Sequence, residues 1–279
     1  MDTITHPISV SALASQLGST LQPLILDVRR HAAFAADPCM IAGATWRDPF
    51  TISNWLKFLS QDREIVVYCV HGHEISQNVC TALRAAGLTA FFLEGGIEAW
   101  KTFGGMTIKK NPVVSVPSAV NAPSRWITRE RPKIDRIACP WLIRCFIDPC
   151  AEFYYAPAND VLREAAEINA IPYDVPGVTF THRGAYAERC SFDAFIEDFA
   201  LQDDALNNLA AIVRGADTGK LELTPQSPGL LAISLGLSTL YRNDHDMLGH
   251  GITVYGALYA WLKAARLEIH NADLFKAKS

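Results

Sequence analysis

The sequence predicts an α/β N-terminal domain built on a parallel sheet, followed by a mainly α-helical C-terminal domain with a small strand component. Three observations predict it. Residues 1–108 alternate short apolar runs with helical patterns. A stretch with three prolines, "KKNPVVSVPSAVNAPS" at 109–124, has no helical periodicity and reads as a linker. From 125 to 279, apolar residues recur every three or four positions and only one or two strand-like runs are visible.

Taken in order, "PLILDV" and "EIVVYCV" read as buried strands, and "TAFFLEGG" as a third. Between the last two, "SQNVCTALRAAG" reads as a helix closed by Gly87. Strand, helix and strand in succession imply parallel pairing under covering helices. Past the linker, "CPWLIRCFI" places Pro140 at an expected first helical turn, and "AEFYYAP" is a short strand. "NDVLREAAEINA", "SFDAFIEDFAL", "DDALNNLAAIVRGA", "PGLLAISLGLSTLY" and "DMLGHGITVYGALYAWLKAARLEI" carry helical spacing.

Composition narrows the class. The chain of 279 residues is long enough for two domains. It is 49% hydrophobic and 19% charged, with net charge 25 − 29 = −4. That balance argues against a broadly basic surface, and direct nucleic-acid binding is not expected. No apolar run reaches membrane-spanning length, and the first residues, "MDTITHPISV", lack the pattern of a signal peptide. A cytoplasmic protein with reduced thiols is expected. The seven cysteines include no C-x-x-C pair, so neither a disulfide framework nor a zinc knuckle is expected.

The segment most informative about chemistry is "VVYCVHGHEISQ" at 66–77, where an apolar strand ends on Cys69. A strand, a short loop and a helix bring loop amides and the helix's positive end toward the sulfur. Both favour the thiolate, the nucleophilic form, and would equally cradle an anion or a terminal sulfur. Gly72 lets the loop turn; His71 and His73 supply imidazole, and Glu74 a carboxylate. The histidines tune the thiolate and move protons, ligate a metal with Cys69, or are ordinary loop residues. A second reading of Cys69 is a small buried apolar residue at a strand end.

The surrounding segments resemble the rhodanese family. The resemblance rests on Asp27-Val-Arg29, Phe34 and "IAGA", then the C-x-x-G loop at Cys69, then "LEGGIEAW", in that order, across about residues 8–107. It implies a sulfurtransferase domain in which Cys69 cycles between thiol and persulfide, with Asp27 and Arg29 as framework residues near the site. Many rhodanese loops carry cations where this one has Val70 and Glu74. That leaves His71 and His73 as the loop's only sources of positive charge, and imidazole is largely neutral near pH 7. Weak turnover of dianionic thiosulfate is therefore expected, with preference for a less charged donor such as a persulfide. The implied partners are a small-molecule or protein sulfur donor and acceptor.

A second resemblance covers about 125–263. "RPKIDRIACPWLIR", "FIDP", "FTHRG", "CSFDAF", "IVRGADT", "GLLAISLGLS" and "YGALYAW" resemble the C-terminal domain of the chromate-resistance ChrB family. It implies a link to chromate resistance or oxyanion stress and gives no mechanism. The cations Arg131, Lys133, Arg136 and Arg144 suggest a site for an oxyanion such as chromate, or otherwise a solvated or ion-paired surface. Cys145 stands where a second arginine after "LIR" is expected. No cofactor is certain. A site for Fe, Mn or Zn is suggested by His182 and Asp193, with Cys190, Asp244, His245 and Asp246 as further donors. The plainer reading makes Cys190 a buried small residue and "NDHDM" a helix start.

Three functions follow. The first is a sulfurtransferase or persulfide carrier using Cys69. The second is a chromate-responsive regulator with an accessory redox module. The third is a catalytically idle rhodanese fold that serves as an interaction domain.

Overall fold

The computed structural model describes residues 6–19, 21–111, 123–186 and 188–268. The N-terminal region runs β1 (Pro7–Ile8), α1 (Val10–Gln16), β2 (Leu24–Asp27), α2 (His31–Ala36), β3 (Cys39–Ile41) and β4 (Ala44–Trp46). It continues with α3 (Ile52–Trp55), β5 (Ile65–Tyr68), α4 (Glu74–Ala85), β6 (Ala90–Leu93), α5 (Gly96–Phe103) and β7 (Thr107–Lys109). Five strands form a parallel sheet in the order β1-β6-β5-β2-β4, and β3 pairs antiparallel with β7. All four residues of β5, Ile65-Val66-Val67-Tyr68, are buried. This is the run expected of a strand covered on both faces. Because the strands are parallel, every carboxyl end lies at one rim of the sheet, and β5, the middle strand, delivers Cys69 there.

The C-terminal region is mainly helical with a small parallel sheet, as the sequence predicts. It runs β8 (Arg125–Arg129), α6 (Asp135–Leu142), β9 (Glu152–Ala156), α7 (Val161–Ile168), β10 (Ile171–Pro172), α8 (Ser191–Asp198), α9 (Asp204–Asp217), α10 (Ser227–Leu240) and α11 (Asp244–Ala260). Strand order is β10-β8-β9. No described helix is long and apolar enough to cross a membrane.

Two expectations change. Pro140 is not in a first turn; α6 begins at Asp135 and carries Pro140 in its interior. The proline removes the amide that would bond to the carbonyl of Arg136, and the Tyr173 hydroxyl donates to that carbonyl instead (3.2 Å). The helix around Cys80 begins at Glu74, two residues before "SQNV", so the sulfur loop is shorter than the sequence suggested. Of the linker at 109–124, residues 112–122 lie outside the described residues, and Lys109 ends β7.

The two regions share buried apolar packing. Leu13, Leu17 and Trp100 fall in one cluster with Trp126, Trp141, Phe146 and Tyr259. Backbone bonds cross the junction from Gly43 N to Phe146 O (2.7 Å) and from Lys109 N to Phe199 O (2.9 Å).

Candidate functional site

Cys69 stands at the carboxyl end of β5, 5% exposed. Its backbone is fixed by the turn between β6 and α5: its carbonyl accepts from Ile97 N (3.0 Å), and that of Val70 from Glu98 N (3.2 Å). The contact works only with glycine on both sides. A Cβ on Gly72 would lie 2.5 Å from Leu93 O, and one on Gly96 would lie 2.4 Å from Cys69 O. Both have positive φ, 70° and 59°. Gln77 Nε2 closes the loop by donating to Gly72 O (3.0 Å).

The sulfur's hydrogen-bond partner differs from the ring of amides expected from the sequence. Sγ lies 3.2 Å from Ser76 Oγ, whose hydroxyl donates to His73 O (3.1 Å). A thiol here donates to the serine oxygen, whereas a thiolate accepts from the hydroxyl once it turns. The first-turn amides of α4, Glu74 to Ser76, have no intrahelical acceptor and lie in the segment that closes over the sulfur.

Cys69 lines a cavity of about 250 Å³ together with Arg29, Arg30, Ala33, His71, His73, Glu74 and Ile75. The rings of His71 and His73 are 5.8 Å apart. Arg29 does not present its charge to the cavity. It is 1% exposed, and its Nε and Nη2 donate to Asp27 while Nη1 pairs with Asp37 (2.7 Å). Burial opposes the Arg29 charge, but Asp27 and Asp37 hold it more firmly than an ordinary guanidinium. Tyr68 OH donates to Asp27 Oδ2 (2.8 Å), so Asp27 and Arg29 brace the rim.

Sequence reasoning missed Ser76, Arg30, Ala33 and Ile75. A signal existed for Ser76: it shares the buried face of α4 with Val79, Cys80 and Leu83, an odd place for a hydroxyl without a partner. Arg30 was visible only as the second arginine of "DVRR".

The cations of the second region do not converge. Arg131 donates to the carbonyls of Ser238, Tyr241 and Arg242 at the end of α10. Arg136 donates to the carbonyls of Arg129 and Glu130 and pairs with Asp174 (3.3 Å). Arg144 lies over the Phe153 ring (5.0 Å), and Lys133 is half-buried in the turn before α6. A common oxyanion site among these four is therefore not formed, because backbone carbonyls, Asp174 and an aromatic ring engage Arg131, Arg136 and Arg144 separately.

The metal-ligating group is also different from the expected one. His182 Nε2 lies 3.4 Å from Asp135, 3.4 Å from Asp174 and 3.1 Å from Asp217. Asp193 is instead the N-terminal cap partner of α8, accepting from Cys190 N and, through two bonds of 3.0 Å, from Arg214. Cys190 is buried at that cap and its thiol is pushed well up by burial. Asp244 accepts from Arg131 N, His245 meets the Tyr155 ring edge-on, and Asp246 N bonds to the cap Asn243. These three are a helix start.

Hydrogen bonds to Asp135, Asp174 and Asp217 push the His182 imidazole up to about 12, against the opposing effect of burial. Burial and the charges of Asp174 and Asp217 push Asp135 well up. One ligand atom from each of Asp135, Asp174 and His182 lies within 4.8 Å of the others, so this group could hold a cation. With Arg129 and Arg136 paired to Asp174, its charges also balance without one.

The middle strand of a parallel sheet, ending in a cysteine at a cavity beside a helix start, defines an α/β protein with a thiol-bearing loop at the carboxyl rim of its sheet. The chain belongs to the rhodanese-like family through this part: the family described as Rhodanese-like domain matches residues 9–103. The description "ChrB, C-terminal domain" matches residues 126–262, so the chain joins the two. Thiosulfate sulfurtransferase GlpE of Pseudomonas entomophila is 30% identical over 90 residues, 32% of this chain and 80% of that protein. Protein ChrB of Cupriavidus metallidurans is 34% identical over 143 residues, 51% of this chain; the match spans 42% of that protein's length. A solved rhodanese-related protein from Thermoplasma volcanium aligns with 38% of this chain and 99% of its own, at 24% identity and TM-score 0.34.

Proposed function

We propose that Cys69 is the sulfur-accepting nucleophile of a rhodanese-type sulfurtransferase or persulfide carrier. The observation that supports it is that Cys69 lines one cavity with His71 and His73, with the Ser76 hydroxyl 3.2 Å from Sγ. The Cys69 thiolate attacks the outer sulfur of a donor persulfide. The donor's S–S bond breaks, its thiolate leaves and takes a proton, and a persulfide stands on Cys69. An acceptor thiolate then attacks that outer sulfur and releases the Cys69 thiolate. Ser76 donates to the sulfur whenever it is anionic. Glu74 at the cavity disfavours a dianionic donor, while Arg30 and the histidines favour a singly charged one.

Incubation with glutathione persulfide is expected to add one sulfur to the intact mass, and Cys69→Ala to abolish it. Unchanged sulfur uptake in Cys69→Ala would remove the proposal. The ChrB-type region ties this chemistry, in our reading, to oxyanion stress. Cells relying on the Cys69→Ala chain should lose chromate tolerance, and undiminished tolerance would uncouple the two regions.

A second reading concerns a divalent cation, Fe, Mn or Zn, at Asp135, Asp174 and His182. It is supported by their ligand spacing. Protein purified without an affinity tag should carry a bound ion that His182→Ala loses. A metal-free chain that gains no thermal stability from added Fe, Mn or Zn removes this reading.

A further inference from the structure

A second cavity, of about 220 Å³, opens where the two family regions meet. Leu24, which begins β2, and Arg63, just before β5, lie at the amino end of the sheet, while Thr45 and Arg47 carry the cavity along the edge strand β4; it shares no lining residue with the cavity at Cys69. Its walls include Leu24, Phe58 and Pro123, its cationic side is Arg47 and Arg63, and the Asp148 carboxylate lines it as well.

Arg29, Arg129 and Arg214 are each paired with an aspartate. Arg47 and Arg63 form no ion pair among the described residues. Arg30, Arg84 and Arg144 also form no ion pair among the described residues, and Arg47 and Arg63 stand out because both line one cavity. Arg47 Nη1 donates to Trp46 O (2.9 Å), and its Nε is buried with no hydrogen-bond partner. Arg63 donates Nε to Gln22 O (2.8 Å) and Nη2 to Pro23 O (3.2 Å), which fixes its head without neutralising it. The carboxylate acting on Arg47 is Asp148, whose oxygens already accept from Ser124 N, Ser124 Oγ and Cys150 N. Burial pulls both guanidiniums below their ordinary value and outweighs the opposing effect of Asp148 on Arg47.

Two guanidiniums at one cavity, with the Arg47 Nε unpartnered and the one carboxylate beside them, Asp148, already accepting three hydrogen bonds, match an oxyanion head. Apolar walls match a body attached to it. We propose that this cavity binds a small organic anion, its oxyanion head held by Arg47 and Arg63 and its apolar body against Leu24, Phe58 and Pro123. The proposal is independent of sulfur transfer at Cys69.

Cys150 lines the same cavity with an exposed thiol and serves as a reporter. The experiment follows iodoacetamide labelling of each cysteine by mass spectrometry in the full chain, with benzenesulfonate, sulfate or chloride at equal ionic strength. Benzenesulfonate is expected to slow Cys150 labelling roughly tenfold at saturation while leaving Cys39 unchanged. Arg47→Gln and Arg63→Gln should each raise the concentration needed by roughly tenfold, the worth of one charge-assisted contact. Both variants should still take up sulfur on Cys69. If one fails to fold, as judged by its melting transition, the other carries the comparison. Protection by benzenesulfonate no greater than by chloride, or equal protection in a folded variant, overturns the site. Sulfate protecting as well as benzenesulfonate overturns the organic body.

Discussion

At the scale of single residues, Ser76 and Glu74 govern the sulfur differently. Ser76→Ala removes the hydroxyl at 3.2 Å and leaves Cys69 in place. Losing one hydrogen bond to an anionic sulfur costs about 1.5–3 kcal/mol, so sulfur uptake should slow by roughly tenfold or more with the final mass unchanged. Glu74→Arg should reverse the local charge and raise thiosulfate turnover several-fold over the wild type. Equal turnover in a steady-state thiosulfate assay would show that the loop carboxylate does not set donor choice. Asp37 supplies a pH test. Burial opposes its ionisation, but bonds from Lys101 and the Cys39 amide, with the Arg29 charge, hold its carboxyl below the ordinary range. A lowered value contributes stability above the unfolded carboxylate value of about 3.9, lost as pH falls through the folded value. Asp37→Asn should therefore cost about 1–2 kcal/mol near neutral pH. In urea titrations its gap to wild type should close as pH falls below the ordinary carboxylate range. Cys69 was legible in the sequence because a strand end, a C-x-x-G loop and a helix are local. The Asp135, Asp174, Asp217 and His182 group was not, since helix α6, the turn after β10 and helix α9 bring it together only on folding.

At the scale of elements, the sulfur loop is held by the turn between β6 and α5 rather than by its own residues. Gly96→Ala would drive a methyl into the carbonyls of Cys69 and Val70 at 2.4 and 2.5 Å. The cost should reach about 2 kcal/mol or more. Because the displaced atoms carry the nucleophile, sulfur uptake should fall beyond what the lowered melting temperature accounts for. Unimpaired uptake in a folded Gly96→Ala chain would show that loop and turn are not coupled. The "LEGGIEAW" motif was readable as a pattern; its role as the bed under the cysteine loop needed the register of β5 beside β6. Pro140 shows the opposite limit. A proline near an apolar run reads as a helix start, and only the Tyr173 hydroxyl, 33 positions later, makes an interior proline tolerable.

At the scale of the whole molecule, the sequence divides into two family regions, yet their apolar side chains are buried together. Trp100 from the first and Trp126 and Trp141 from the second belong to one cluster. Tryptophan fluorescence and circular dichroism are therefore expected to report a single coincident unfolding transition. Two separated transitions would mean that the shared packing contributes little. The strand orientation adds a kinetic consequence. A four-residue parallel strand sets its two ends roughly 10 Å apart; Cys69 follows one end of β5 and Arg63 precedes the other, and the thiol doorway and the guanidinium niche share no lining residue. Traffic through either leaves the other unobstructed. An occupant of the niche should accordingly leave the donor's half-saturation concentration where it was.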